Sequence, residues 1–267
     1  MNFLHALILG IIQGLTEFIP VSSTAHLLIG QQLFGIPADA AMFSFLVIVQ
    51  LGTLISLFAF YWKDLLDIAK ATLDFRRSTP DRNLGIYIIL ATVPALIAGY
   101  LLRNVVEALF NQPMLQASIR LFSAAILLTL AESLSKKNRT LNSMTWLDAL
   151  IVGLFQIISV FPGASRSGST ISGGMFRGFD RVSAARFAFL MSVPVMLAAG
   201  GYEMLDVIQM PNLSEFLPLL AVGFIAAAIV GWMAIKWLID YLSNHSLYVF
   251  AAYCAIVGIL CFINYLI

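Results

Sequence analysis

Gln13-Gly-Leu-Thr-Glu17-Phe-Ile-Pro20-Val-Ser22-Ser23-Thr24-Ala-His26 interrupts an apolar stretch that begins at Phe3. A second interruption, Phe161-Pro162-Gly163-Ala-Ser165-Arg166-Ser167-Gly168-Ser169-Thr170, ends the apolar run 146–161. Both place a proline and a cluster of small polar residues after fewer residues than a bilayer crossing needs, about 20 for a core about 30 Å thick. Irregular backbone survives at membrane depth only where protein buries it or it lines a water-filled cavity. The two stretches therefore read as broken, re-entrant helix hairpins rather than spans.

Around them the chain has the composition of an integral membrane protein. Of its 267 residues 60% are hydrophobic and 11% charged, and the mean hydropathy is +0.93. A soluble domain carries about 25% charged residues. That contrast excludes an ordinary soluble enzyme, a disordered chain and a protein with a basic face for nucleic acid, so the expected environment is a lipid bilayer and no nucleic-acid partner. The 15 basic and 14 acidic residues leave a net charge of +1, which selects no partner. Six further stretches, 42–62, 84–102, 115–134, 182–206, 216–239 and 247–267, approach spanning length. The expected fold is an all-α polytopic membrane protein with about six full transmembrane helices and two broken hairpins. Cys254 and Cys261 share one apolar stretch and read as packing or lipid-facing residues, with neither metal-ligand nor disulfide spacing. Met1 to Phe18 has no basic n-region and contains Glu17, so it does not read as a signal peptide.

Orientation follows from Lys and Arg in the connections. Lys63, Lys70, Arg76, Arg77 and Arg82 lie between 62 and 83, and Lys136, Lys137 and Arg139 between 135 and 145. Two spans separate these loops, which puts both on one side, the cytoplasmic one. Arg177, Arg181 and Arg186 fall on that side too, whereas 104–114 and 207–215 carry no Lys or Arg. The C-terminus is then outside. Spans 42–62 and 182–206 run in opposite directions, so their preceding hairpins enter from opposite faces, as in an inverted-topology repeat. Sliding 6–27 by 143 residues makes seven of 22 positions identical, among them Gln13 on Gln156, Phe18 on Phe161 and Ser22 on Ser165. A change of register by one residue lays Phe43-Ser-Phe-Leu46 on Phe187-Ala-Phe-Leu190. One membrane domain, 1–267, is expected, with repeat arms of about 1–134 and 146–267.

Ionisable residues at membrane depth cost at least about 2.5–3.5 kcal/mol each. Arg103, Arg120, Glu132 and Lys236 lie near expected helix ends and are expected to snorkel. Asp39, Asp148 and Asp180 suit helix starts as caps. Glu17, His26 and Arg166 have no such account. Gln13 and Glu17 share a helix face at i and i+4, Pro20 ends that helix, and Ser22, Ser23, Thr24 and His26 follow the break. In the second hairpin, a half-helix starting near Ser165 would aim its unpaired N–H groups and positive dipole end into the turn beside Arg166. Hydroxyls and a guanidinium there form a phosphate cradle, without the spacing of a Walker loop. The hairpins have diverged: Glu17 aligns with Val160 and Arg166 with Ser23. Brought together they supply a base, a nucleophile and an anion clamp, the equipment of phosphoryl transfer.

Gln13-x-x-x-Glu17 followed by Pro-Val-Ser-Ser-Thr-x-His, with Pro162-Gly-Ala-Ser-Arg-Ser-Gly-Ser-Thr170, resembles the undecaprenyl-diphosphate phosphatases of bacteria, the bacitracin-resistance phosphatases. The likeness covers length, segment order and both motifs. It implies hydrolysis of undecaprenyl diphosphate to the monophosphate, which recycles the lipid carrier of cell-wall synthesis, in the bacterial plasma membrane with a site open to the periplasm. The family pattern allows Gln at position 13, which marks Gln13 as a hydrogen-bonder rather than an obligatory acid.

On these grounds Glu17, Ser23, His26 and Arg166 are the expected catalytic residues. Gln13, Ser22, Thr24, Gly163, Ser165, Ser167 and Thr170 are the expected substrate contacts. Arg166 would clamp the transferred phosphoryl group and Ser23 would attack it, with His26 or Glu17 taking the proton. A phospho-histidine at His26 and direct attack by water stay open. So does a divalent cation, Mg²⁺ or Ca²⁺, for which one carboxylate is a thin site. The Gly- and Ala-rich span 182–206 can pack within one chain or between two, leaving a homodimer open. The competing class is an inverted-repeat transporter or flippase for a polyprenyl phosphate, which would use Arg166 in the same way.

Overall fold

Local signals set the helix boundaries. The computed structural model of the chain describes all residues but 38, 75–78, 109–111, 160–163 and 210–212; of 40, 103–108 and 206 it describes the backbone alone. Among the described residues it contains ten α-helices: α1 Phe3–Phe18, α2 Ser23–Leu33, α3 Ala40–Leu73, α4 Pro80–Ala108, α5 Pro113–Leu134, α6 Trp146–Ile158, α7 Arg166–Phe176, α8 Arg181–Val207, α9 Leu213–Asn244 and α10 Tyr248–Leu266. Asn2 caps α1 by accepting the His5 amide at 2.8 Å, and Asp39 caps α3 through Met42 at 2.9 Å. Asp180 takes the Ser183 amide at 2.7 Å, and Thr145 with Asp148 forms a capping box on α6. The three aspartates thus cap helices, as their positions suggested.

Six helices are long and apolar enough to cross a membrane, namely α3, α4, α5, α8, α9 and α10, while α1 and α6 are shorter. This is the expected polytopic fold. One boundary differs. α3 continues past a kink at Tyr61 to Leu73, so Lys63 and Lys70 lie on a helix rather than in a loop. Tyr61, Leu65 and Ile68 recur there at i, i+4 and i+7 and pack into the core, which keeps the segment winding.

Contacts give the helix directions. Arg186 near the start of α8 reaches Asp64 of α3 at 3.0 Å, and Gly200 of α8 lies against Leu51 of α3. The two helices are antiparallel. α1 and α9 run parallel, Gly10 meeting Gly223 and Gly14 meeting Ala227. α2 runs with α10, since His26 bonds Tyr253 and Gln32 bonds Asn264. In the second series α6 packs on α4 and α7 on α5. Each hairpin therefore docks on the last two helices of the opposite series. The corresponding crossings are both tight: a Cβ on Gly10 would stand 2.5 Å from the Gly223 carbonyl oxygen, and one on Gly153 2.5 Å from that of Ala91. Only glycine permits backbone approach of this kind.

The hairpins enter from opposite ends. Met1, Ile36 and Phe216 line one cavity and His5 stacks on Phe34, placing the start of α1, the end of α2 and the start of α9 at one end. At the other end Asp148, opening α6, accepts Arg177, just beyond α7, at 2.6 Å and Arg139 at 2.7 Å. Burial alone would raise the Asp148 carboxyl's pKa, but hydrogen bonds from Arg139, Thr145 and Arg177 outweigh it and hold the group well below the usual carboxylate range.

Two residues expected to snorkel do not. Glu132 is buried and gathers Lys137 at 2.7 Å, Arg181 at 2.9 Å and the Leu247 amide at 3.1 Å, because the ends of three helices converge on it. Arg120 is also buried, on the face of α5 that packs against α7. Lys236 is exposed and lies over the Trp232 ring. Arg103's side chain lies outside the described residues. Cys254 and Cys261 are buried and unpaired, packing residues as expected.

Candidate active site

The site forms where the tips of the two hairpins meet. At the first tip Pro20 offers no N–H and disfavours helical backbone at the residue before it. Ile19 is accordingly extended, with ψ 131°, and the Val21 amide bonds back to the Ile19 carbonyl at 2.7 Å. Ser22 then adopts φ +68°, ψ 91°, a left-handed backbone rare outside glycine and characteristic of functional sites. Strain at this residue turns the chain so that α2 starts at Ser23 with its side chain facing back toward Glu17.

At the second tip Pro162 and Gly163 fall outside the described residues, which leaves the Gly163 expectation without a structural counterpart. α7 begins at Arg166, and the Ser165 hydroxyl accepts the Gly168 amide at 3.2 Å. Ser165 is therefore the cap of the half-helix expected from the sequence. Its position and that of Ser22, one 143-residue shift apart, both mark the start of a short helix.

Glu17 is the hub. It is buried, and its Oε2 accepts Gln13 Nε2 at 2.9 Å and Ser23 Oγ at 2.6 Å. Its Oε1 is ion-paired with Arg166 from the other hairpin. Donors from Gln13, Ser23 and Arg166 thus end on one carboxylate, whose charge offsets that of Arg166 in a setting where an unpaired charge is costly. Phe18, beside it in the chain, is buried edge-on against Phe189 of α8, with ring centroids 5.5 Å apart. Ser167 donates to the Ile19 carbonyl at 3.4 Å, which ties the two tips directly.

His26 faces elsewhere. Its Nδ1 lies 2.9 Å from the Ser22 carbonyl oxygen, and its Nε2 lies 2.7 Å from the Tyr253 hydroxyl. A carbonyl only accepts, so Nδ1 carries the proton and Nε2 accepts from Tyr253. The two rings are stacked. Of the two candidate bases for Ser23, Glu17 stands at hydrogen-bond distance, while His26 is engaged with Ser22 and Tyr253. Thr170 donates to the Arg166 carbonyl at 2.8 Å and is fully buried; its hydroxyl supports the helix. Thr24 is half-buried on the first turn of α2.

Gln13, Glu17, Ser23 and Arg166 are therefore brought into direct contact, with Ser22, Ser165 and Ser167 shaping the two tips around them. Sequence reasoning missed two neighbours. Tyr253 lies 227 residues from His26, and an interfacial-looking tyrosine carries no signal of such a partner. Arg120, read as snorkelling, donates Nη1 to the Ala164 carbonyl at 3.2 Å, beside the start of α7. Among the described residues no three His, Cys, Asp or Glu side chains converge. A divalent cation here would draw one protein ligand, Glu17, and rely otherwise on phosphate oxygens.

Similarity to known proteins matches this arrangement. The profile of the family described as bacitracin resistance protein BacA matches residues 6–260. The undecaprenyl-diphosphatase of Alkaliphilus metalliredigens is 38% identical over 97% of both chains. Those of Acidothermus cellulolyticus and Chlorobium phaeobacteroides are each 40% identical, over 95% and 97% of this chain and 93% and 95% of their own. A match of that extent, over a chain whose two signature tips meet in space, places the protein in a family: it belongs to the bacitracin resistance protein BacA family.

Proposed function

We propose that the chain is a membrane-embedded phosphatase that hydrolyses undecaprenyl diphosphate to undecaprenyl phosphate and inorganic phosphate. The observation that carries this reading is the convergence of Glu17, Ser23 and Arg166 from two hairpins. The lipid tail stays among helices while the head enters between the tips. The diphosphate, with more negative charge than one carboxylate, competes for Arg166 and draws it away from Glu17. Glu17 is thereby freed to act as a base, and the Ser23 proton is already directed at it. Ser23 Oγ attacks the terminal phosphorus, the bond to the bridging oxygen breaks, and undecaprenyl phosphate leaves. Glu17 passes the Ser23 proton to the departing phosphate and, ionised again, takes a proton from the water that attacks the phosphoserine, returning it to Ser23 Oγ as inorganic phosphate leaves. Arg166 and the open end of α7 stabilise charge on the equatorial oxygens throughout. Recycling the cell-wall lipid carrier from the plasma membrane, and resistance to bacitracin, follow from that reaction. The end without basic loops, carrying the C-terminus, faces the periplasm.

A flippase needs a phosphate clamp but no nucleophile, and the short Ser23–Glu17 bond favours the hydrolase. The test is phosphate release from undecaprenyl diphosphate by purified protein in detergent, where no second compartment exists. A hydrolase releases phosphate, and Arg166→Lys, which keeps the charge but loses the planar fork, reduces the rate at least about tenfold. No release by the native chain would overturn the reading.

A further inference from the structure

Arg120 is a buried cation with no counter-ion among the described residues. It is 7% exposed, and the ion pairs among the described residues engage Lys137, Arg139, Arg166, Arg177, Arg181 and Arg186 but not Arg120. Among the described residues its one hydrogen bond runs from Nη1 to the Ala164 carbonyl, and its Nε is buried with no partner. A guanidinium left in this state costs several kcal/mol. Its position increases the cost, because the Ala164 carbonyl immediately precedes the positively polarised start of α7.

The register between helices explains how it comes to lie there. α5 and α7 run parallel: Arg120 meets Ala164, and four residues on, Ala124 faces Gly168. Farther along α7, the Ser169 and Ser172 hydroxyls are also buried without partners. Around the start of α7 the ionised side chains among the described residues are then Arg120, Arg166 and Glu17, two cations to one anion. The surplus is one positive charge plus a helix dipole, in a place where water is scarce. A diphosphate headgroup is the anion that this surplus fits, because it brings two phosphate groups where Arg166 alone can fork one.

We propose that Arg120 is a second phosphate-binding residue, which holds the lipid-linked phosphate of the diphosphate while Arg166 holds the terminal one. This rests on the phosphatase reading above and adds a specificity to it. A headgroup spanning both guanidiniums binds more tightly than a monophosphate, so the product, having lost one phosphate, no longer engages both. Arg120 discriminates substrate from product.

The test measures binding separately from turnover. Full-length protein in detergent is titrated with farnesyl methylenediphosphonate, an uncleavable diphosphate, and with farnesyl phosphate. Arg120→Met weakens diphosphonate binding about 30-fold, within the range for loss of a charge-assisted hydrogen bond, and shifts monophosphate binding less than threefold. Its melting temperature without ligand stays at or above that of the native chain, since an unpaired buried charge has been removed. Equal weakening on both probes with a lowered melting temperature would overturn the proposal and make Arg120 a structural anchor. Unchanged diphosphonate binding, with inhibition by inorganic phosphate altered instead, would overturn it in favour of a site for free phosphate. Should Arg120→Met not fold, Arg120→Lys decides: a loss of about fivefold confined to the diphosphonate supports the assignment, and equal loss on both probes refutes it. If the native chain binds the diphosphonate through Arg120 yet releases no phosphate from undecaprenyl diphosphate, the phosphatase reading fails and this one stands.

Discussion

Glu17 accepts from Gln13, Ser23 and Arg166 together, so one of its oxygens is open to a proton only when Arg166 leaves. Glu17→Gln keeps the shape, removes the base and strands Arg166. Phosphate release should fall at least about 100-fold, and a rate within tenfold of native would remove Glu17 as base. Ser23→Ala should abolish labelling of the protein by radioactive diphosphate in a rapid quench, whereas a persisting label that maps to His26 would transfer the nucleophile there. Ser22 tests the backbone: at φ +68° Ser22→Gly should fold with an unchanged or higher melting temperature, and Ser22→Val should lose about 2 kcal/mol. These residues differ in how far the sequence announced them. Gln13, Glu17 and Arg166 stood out because a polar group in an apolar run needs a reason. Arg120 and Glu132 stood out as well but were misread, since position along a helix gives depth and not the face toward which a side chain turns. Tyr253 gave no signal, its role being made entirely by a contact across 227 residues.

Among the elements, the hairpins depend on close crossings and on end clamps. Gly153→Val forces a side chain into the Ala91 backbone, and overpacking of this kind costs about 1–3 kcal/mol; the melting temperature should fall while Gly99→Ala, with open space around it, leaves it unchanged. Asp148→Ala removes the Asp148 half of the capping box on α6 and the carboxylate that pairs both arginines, a loss of about 3 kcal/mol. Because the folded carboxyl pKa lies below the unfolded one, that contribution is complete above pH of about 4 and is lost only as pH falls further. The gap in melting temperature between native and Asp148→Ala proteins should therefore be constant from pH 5.5 to 8. Both hairpins were legible from their length and prolines. The kinked extension of α3 was not, because charge counting assigns any Lys-bearing stretch to a loop, although the core-facing stripe Tyr61, Leu65 and Ile68 keeps it helical.

For the whole molecule, we propose that 1–134 and 146–267 are the two arms of one inverted repeat, each arm's hairpin docking on the other's last two helices. Orientation can be checked with single cysteines, since Cys254 and Cys261 are buried. A membrane-impermeant maleimide should label Lys136→Cys only after the cells are opened, and Glu215→Cys in intact cells; the reverse pattern would invert the topology. The opposition of the spans was readable from loop charge, while the exchange of hairpins between arms was not, because apolar faces carry no address. The meeting of the tips has one more consequence. Two polar segments reaching inward from opposite faces nearly compose a hydrophilic path through the protein, a hazard in a membrane that stores a proton gradient. At their junction Glu17 and Arg166 neutralise each other, and the buried rings of Phe18 and Phe189 lie alongside. We propose that the ion pair joining the two tips also plugs this path and keeps it from conducting.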